Sequence, residues 1–307
     1  MSMIKRIEYL EELKKWKDKD LIKVVTGIRR CGKSTLLELF IEYLKEEKID
    51  EEHIVSINLE SLEYNFSNYK DLYFYVVSKI KEDKKYHVFL DEIQNIEGFQ
   101  RAVDIYITGS NAFLLSGELA TLLTGRYVEI KMLPLSFKEY VSAFSGNNNY
   151  QSLFLEYMKN GWMPGTISVL DLGINDINKY LDSIFSTVVF KDIMARNKIT
   201  DKTILENIIK FILENIVYLE LLRRGYRVYV GKIDDLKIDF VAENQGGLKY
   251  FQVSLTVRNA KVLERELRSL QRTGDHYPKY LITMDMDLSS DYDGITKINV
   301  IDWLLEK

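Results

Sequence analysis

Cysteine occurs once, histidine three times and proline three times in 307 residues. A lone thiol, Cys31, cannot close an internal disulfide, which fits a protein of the reducing cytoplasm. The histidines His53, His87 and His276 are scattered, and with a single cysteine they make no zinc-binding pattern. No run of about eighteen apolar residues occurs, and Met1-Ser2-Met3-Ile4-Lys5-Arg6 has no apolar signal core. Neither a membrane partner nor a leader is therefore expected. A net charge of −4 argues against wholesale coating of nucleic acid, while leaving room for a local basic patch. What is present is ordinary: 46% hydrophobic and 29% charged residues suffice for substantial cores, and the length predicts two domains.

The strongest local signal is Gly27-Ile28-Arg29-Arg30-Cys31-Gly32-Lys33-Ser34. It has the G-x-x-x-x-G-K-[ST] spacing of a phosphate-binding loop. It follows the β-branched run Leu21–Thr26 and leads into Thr35–Leu44, which has helical spacing. Glycines let successive N–H groups turn toward one anion, and the helix N-terminus adds its dipole. Lys33 supplies a mobile charge to the β- and γ-phosphates, and the Ser34 hydroxyl is a ligand for Mg²⁺. Residues Gly27 to Thr35 are thus the predicted nucleotide site. Arg29 and Arg30 either contact phosphate or face a partner. Cys31 either fills space or, as a thiol acidified near a helix N-terminus, offers a point at which alkylation blocks the site.

Further strands are expected at His53–Leu59, His87–Glu92, Asp104–Thr108 and about 127–130, with helices at 3–17 and 69–82. Strands alternating with helices predict a parallel sheet covered on both faces. The third strand is apolar until it delivers Asp91-Glu92, the Walker B arrangement: Asp91 holds Mg²⁺ through water and Glu92 orients and polarises the attacking water. No guanine-reading N-K-x-D follows a strand, so ATP is expected rather than GTP. Ser110 and Asn111 after the fourth strand either sense the γ-phosphate or cap a helix. Arg126 is either an arginine finger or a plain surface arginine. Only eleven residues separate Glu92 from Asp104, short for a parallel crossover. Either the crossover is truncated or residues are missing there, and the second is favoured.

Several of these stretches together resemble one group of prokaryotic AAA-superfamily ATPases. They are the loop with its paired arginines, Phe89-Leu90-Asp91-Glu92-Ile93-Gln94, Tyr106-Ile107-Thr108-Gly109-Ser110-Asn111, Leu123-Thr124-Gly125-Arg126 and Met132-Leu133-Pro134-Leu135-Ser136-Phe137-Lys138-Glu139-Tyr140. The resemblance implies ATP and Mg²⁺, an AAA-type P-loop domain over residues 1–145, and a C-terminal region related to the PD-(D/E)XK nuclease fold, often with a winged-helix module between. Here 146–212 reads as a helical lid or connector and 213–307 as the nuclease-like domain. The chain departs from the family by lacking a helix after Glu97. It also lacks the winged-helix segment near Ile212, where Ile204–Ile212 and Leu213–Val217 abut as one helix.

Beyond Leu213 a helix, strands at 227–230, 238–242 and 250–255, a helix at 259–272 and strands at 279–283 and 297–301 follow the order of such a nuclease core. Asp239 matches the metal-binding aspartate implied by the resemblance, and Glu214 or Glu220 could assist from the helix. Where Glu-x-Lys is needed the chain has Gln252-Val253-Ser254, which removes a metal charge and the transition-state cation. The expected enzyme is therefore an ATPase without nuclease activity. Arg258, Lys261, Arg265, Arg268 and Arg272 fall on one helix face. They either track a DNA backbone or form a solvated face paired with Glu264 and Glu266. The leading expectation is an ATP-hydrolysing switch acting on a nucleic-acid or protein partner, the alternative an ATP-gated nucleic-acid-binding protein, and the least favoured an active metal-dependent nuclease.

Overall fold

Strand β1 (Ile22–Gly27) is buried along both faces, and the first sheet is built outward from it. The structure, a computed structural model, describes residues 4, 6–61, 63–64, 66, 69–81, 84–91, 104–110, 126–144, 146–170, 202–287 and 290–306. β2 (Ile54–Asn58), β3 (His87–Asp91), β4 (Asp104–Ser110) and β5 (Tyr127–Met132) join β1 in the order β2-β3-β4-β1-β5. Every pairing in this sheet is parallel. Alternate residues of the strands serve two different cores. Val24, Ile57, Val88, Leu90, Ile105 and Ile107 pack with Leu72 and Val76 of α3 (Tyr69–Lys79). Val25, Phe89, Tyr106, Ile130 and Met132 pack with Leu13 of α1 (Ile7–Trp16) and Leu36, Leu37, Phe40 and Leu44 of α2 (Lys33–Glu46). Helices thus cover both faces, as a parallel sheet requires.

The N-terminal edge of this sheet holds a buried ionic cluster. Lys23 of β1 is fully buried and pairs with Asp104 at the start of β4. Asp104 also accepts from the Tyr106 hydroxyl at 2.8 Å and the Asp18 amide at 2.9 Å, and His87 Nδ1 stands 3.3 Å away. With Asp18 and His87 it could offer ligand atoms to a metal. The lysine already occupying the carboxylate makes this an ion pair instead.

The chain divides into two compact units, Met1–Leu135 with Met163–Ser168, and Ser136–Trp162 with Val169–Lys307. The second contains α4 (Phe137–Ser142) and α5 (Tyr150–Asn160), whereas α6 (Pro164–Val169) falls almost wholly in the first. α4 opens on a capping box in which Ser136 and Glu139 satisfy each other's amides. α7 (Lys202–Arg223) runs unbroken through Ile212–Leu213. A second sheet follows in the order β10-β11-β9-β8-β7-β6, from β6 (Arg227–Ile233), β7 (Leu236–Asn244), β8 (Gly247–Ser254), β9 (Lys279–Thr283), β10 (Ser290–Tyr292) and β11 (Ile295–Asn299). β6–β8 form an antiparallel meander, and α8 (Ala260–Gln271) carries the chain over to β9, parallel to β8.

Two details differ from the sequence reading. The strand expected at 297–301 stops at Asn299, whose side chain accepts from the amides of Ile301 and Asp302 and starts α9 (Val300–Leu305). The hairpin partner β10 was not foreseen, although Asp293-Gly294 between it and β11 is a hairpin-turn signal. Among the described residues no helix is long and apolar enough to cross a membrane.

Burial opposes ionisation of Asp104, but His87, Lys23 and the Asp18 amide outweigh it and hold the carboxyl down at about 2, against 3.8 ordinarily. A folded-state value below the unfolded one means that its stabilisation is complete above about pH 4 and is lost as pH falls toward 2. Asp104→Asn leaves the Lys23 charge buried without its counterion. It should cost about 3–5 kcal/mol in urea denaturation at neutral pH and flatten the acid limb of the stability profile.

Candidate nucleotide site

The C-terminal end of β1 runs straight into the phosphate loop. At Gly27 a Cβ would lie 2.5 Å from the Met132 carbonyl oxygen and 2.7 Å from Cys31 Sγ, so only glycine lets the loop sit against β5. Arg30 and Gly32 take positive φ of 67° and 97°. Such left-handed residues turn successive N–H groups into an anion-binding hollow, and glycine is the residue that occupies that region without penalty. The Cys31 amide closes a turn onto Ile28 O at 3.3 Å. The N–H groups of Gly32, Lys33 and Ser34 open α2 and have no partner inside the helix. Lys33 is 4% exposed, and its ammonium rests 3.4 Å from Gly27 O and 3.3 Å from Ile28 O, curled over the loop. Arg29 pairs across an exposed surface with Glu60 at 3.5 Å.

Cys31 is the space-filler of the two readings. It is fully buried among Val25, Leu36 and Met132. Burial pushes its thiol above the ordinary value, against the pull of Lys33 and Arg6. The expected acidification at a helix N-terminus does not occur, because the sulfur faces the core.

Asp91 ends β3 on the same edge of the sheet, and the Thr108 hydroxyl of β4 donates to it. Two strand spacings of about 4.8 Å separate β3 from β1, which leaves about 10 Å for a hydrated ion and phosphates. Thr108 was missed by sequence reasoning. Its position on the strand between β1 and β3 is visible only in the strand order. Ser110 lies beside Gly27 in the β1–β4 register. Glu92 and Asn111 lie outside the described residues, as do Thr124 and Gly125.

Arg126 is placed where it does not serve this loop. It precedes β5, and its carbonyl accepts the Ile22 amide at 2.9 Å at the opposite end of β1. Five residues of strand, about 16 Å, separate that end from Gly27, beyond an arginine's reach. Arg126 is therefore out of reach of its own chain's loop.

In the second unit Asp239 and Gln252 are buried side by side. Asp239 Oδ2 accepts the Val253 amide at 2.9 Å, Gln252 Oε1 accepts the Asp239 amide at 3.3 Å, and Lys237 stands 3.3 Å from Asp239. Gln252 Nε2 donates to Glu266 at 2.8 Å. Glu266 is buried on α8 rather than solvated. Glu220 is held by Arg223 and Arg224 at 2.7 and 2.9 Å. Glu214 lies by Lys210 at 3.7 Å, and burial, then the Asp239 charge, raises its carboxyl above the ordinary range. Ser254 is buried and donates to Thr256 O at 3.2 Å. All five basic residues of the α8 row are exposed, but Arg258 pairs with Asp285 and Asp287, Arg265 with Glu266 and Arg268 with Glu264.

A glycine-bounded loop between a parallel strand and a helix, with an aspartate two strands away, is the arrangement of a P-loop nucleotide-binding fold. Residues 19–141 match the family model described as AAA domain. An uncharacterized protein of Haemophilus influenzae is 33% identical, the match taking in 99% of this chain and 99% of that protein. The chain belongs to the same family of AAA-domain proteins. Their alignment runs over 403 positions against the 307 residues here, so the relative carries internal segments without a counterpart in this chain. An uncharacterized protein of Methanocaldococcus jannaschii is 30% identical over 58% of this chain and 43% of its own length. Among solved structures, a Walker-type ATPase of Pyrococcus abyssi is 16% identical over 72% of this chain and 75% of its own, with a TM-score of 0.37.

A buried thiol with a raised pKa is a poor nucleophile. At pH 8 the native protein should resist iodoacetamide at Cys31 for hours and become labelled within minutes in denaturing urea, as read by intact mass.

Proposed function

We propose that the protein is a Mg²⁺-dependent ATP hydrolase in which the loop at 27–35 holds the nucleotide and the end of β3 serves the reaction. The observation that carries this reading is the convergence on one sheet edge of Gly27–Ser34, the curled Lys33 and the Asp91–Thr108 pair. Gly32, Lys33 and Ser34 offer their amides to the β-phosphate, and Lys33 swings from the loop carbonyls to bridge the β- and γ-phosphates. The donor set suits a hard cation, since Ser34 presents a hydroxyl oxygen and Asp91 a carboxylate. When bound there, Mg²⁺ neutralises charge on the phosphate oxygens. Thr108 fixes the Asp91 carboxylate. Glu92 orients water for attack on the γ-phosphorus and accepts its proton, the products being ADP and phosphate. Ser110, beside Gly27, is the candidate γ-phosphate sensor.

The second unit is read as a nuclease-like fold that has lost its chemistry, with a boundary near 213. Its support is the order α7-β6-β7-β8-α8-β9 and the amide-for-carboxylate exchange at Gln252, which is tied to Glu266. Hydrolysis is proposed to switch the protein's hold on a partner. Arg258 and Arg272 lie outside α8, and Arg258, Arg265 and Arg268 are ion-paired, which weakens the case for a continuous DNA-tracking stripe.

Lys33→Ala should lower ATP turnover by about two orders of magnitude or more, measured as phosphate release. Unchanged turnover in that variant would sink the proposal. Glu92→Gln should retain ATP binding while losing hydrolysis to a similar degree, and EDTA should abolish turnover until Mg²⁺ is restored. Pure protein should leave supercoiled plasmid intact with either Mg²⁺ or Mn²⁺, because no lysine replaces Ser254.

A further inference from the structure

The phosphate loop is gripped from outside by a residue that precedes the first helix. Arg6, the N-cap of α1, is 4% exposed. Its Nη1 donates to Cys31 O at 2.9 Å and its Nη2 to Leu133 O at 2.7 Å. The guanidinium carbon stands 4.8 Å from the centroid of the Tyr9 ring, and the Tyr9 hydroxyl accepts the Leu133 amide at 3.0 Å. The first turn of α1 therefore fastens three peptides. Arg6 holds the 31–32 peptide, inside the loop, and the 133–134 peptide. Tyr9 holds the 132–133 peptide, whose carbonyl closes against Gly27.

A planar trans peptide points its carbonyl and the following N–H in opposite directions. Tying Cys31 O to Arg6 thus turns the Gly32 N–H away from Arg6, to the other side of the loop. The Cys31 amide is spent on Ile28 O, whereas the amides of Gly32, Lys33 and Ser34 have no partner inside the helix and are left for an anion. Left to itself, a loop with positive φ at Arg30 and Gly32 could rotate the 31–32 peptide at little cost, since glycine accepts either orientation. Arginine suits the task because its planar fork holds two carbonyls in a fixed geometry and keeps its charge when buried, where an ammonium is a single point on a flexible stem. That charge also adds to the positive potential around the loop.

We propose that Arg6 is a positioning residue for polyphosphate binding, setting the Gly32 amide before nucleotide arrives. The inference rests on reading 27–34 as the nucleotide site. Because the amide contacts phosphate in the bound and reacting states alike, losing its set orientation should weaken binding more than turnover.

The test compares full-length wild type, Arg6→Ala, Arg6→Lys, Lys33→Ala and Leu13→Ala, the last removing a fully buried side chain from the same helix. Steady-state ATP hydrolysis and melting temperature are measured for each. Arg6→Ala should raise KM for ATP about tenfold, the loss expected of one charge-assisted contact, with kcat within about twofold. Arg6→Lys should recover part of the KM. Leu13→Ala should lower kcat with its folded fraction and leave KM unchanged. A wild-type KM in Arg6→Ala, or a KM rise in Leu13→Ala equal to it, overturns the inference. If Arg6→Ala does not fold, a wild-type KM in Arg6→Lys overturns it equally. Absence of hydrolysis in the wild type, or its persistence in Lys33→Ala, removes the nucleotide-site reading and this inference with it. Normal wild-type turnover, lost in Lys33→Ala but untouched at Arg6, removes the Arg6 role alone.

Discussion

Parallel pairing is the constraint on which the rest of the first unit depends. Five strands running the same way bring all their C-terminal ends to one edge, so whatever follows β1, β3 and β4 must gather there. That is why a loop at residue 27 and a carboxylate at residue 91 become neighbours. The same pairing demands cover on both faces. Leu72 and Val76 meet that demand on one side, and Leu36, Phe40 and Leu44 on the other. The helix beginning at Lys33 consequently has two duties: its apolar stripe seals the sheet while its first amides line the loop.

The two edges of the sheet divide their labour. At the C-terminal edge polar groups are left with capacity to spare, as Lys33 resting on loop carbonyls illustrates. At the N-terminal edge Lys23, Asp104 and Tyr106 are spent on one another in a dry cluster. A buried pair of that kind returns little net stability but punishes the loss of either partner. It ties β1 to β4, the pair that brings Ser110 alongside Gly27. The first helix contributes at the loop's end through Arg6 and Tyr9, so the opening turn of α1 acts on the site although it lies outside the motif.

The second unit spends its buried polar side chains on structure. Gln252 lies buried beside Asp239. As an amide it accepts from the Asp239 backbone and donates to Glu266, satisfying three elements at once. Glu266 in turn pairs with the exposed Arg265 at 2.6 Å. Buried polar groups of this kind are stable only when fully partnered, and the partners here are internal.

Most elements of the fold were legible in the residues. Apolar runs of strand length and helix-period stripes are local properties, so β1 to β5 could be read with errors of a residue or two and α1 to α3 with errors of up to four. The phosphate loop was legible for the same reason, since its glycines and lysine act within eight consecutive positions. Asn299 was misread because a side chain that caps a helix looks, in sequence, like one more residue of a strand. Arg126, Cys31, Thr108, Glu266 and Arg6 could not be judged locally. Whether Arg126 sits near Gly27 depends on which ends of β1 and β5 are paired. Whether Cys31 is acidic depends on which way its sulfur turns. Thr108 acquires its partner only because β4 lies between β1 and β3. The sequence by itself determined the chemistry of the loop and the alternation that buries the sheet. Only the tertiary structure decided which distant groups meet them, because strand order and burial are settled by contacts between segments far apart in the chain.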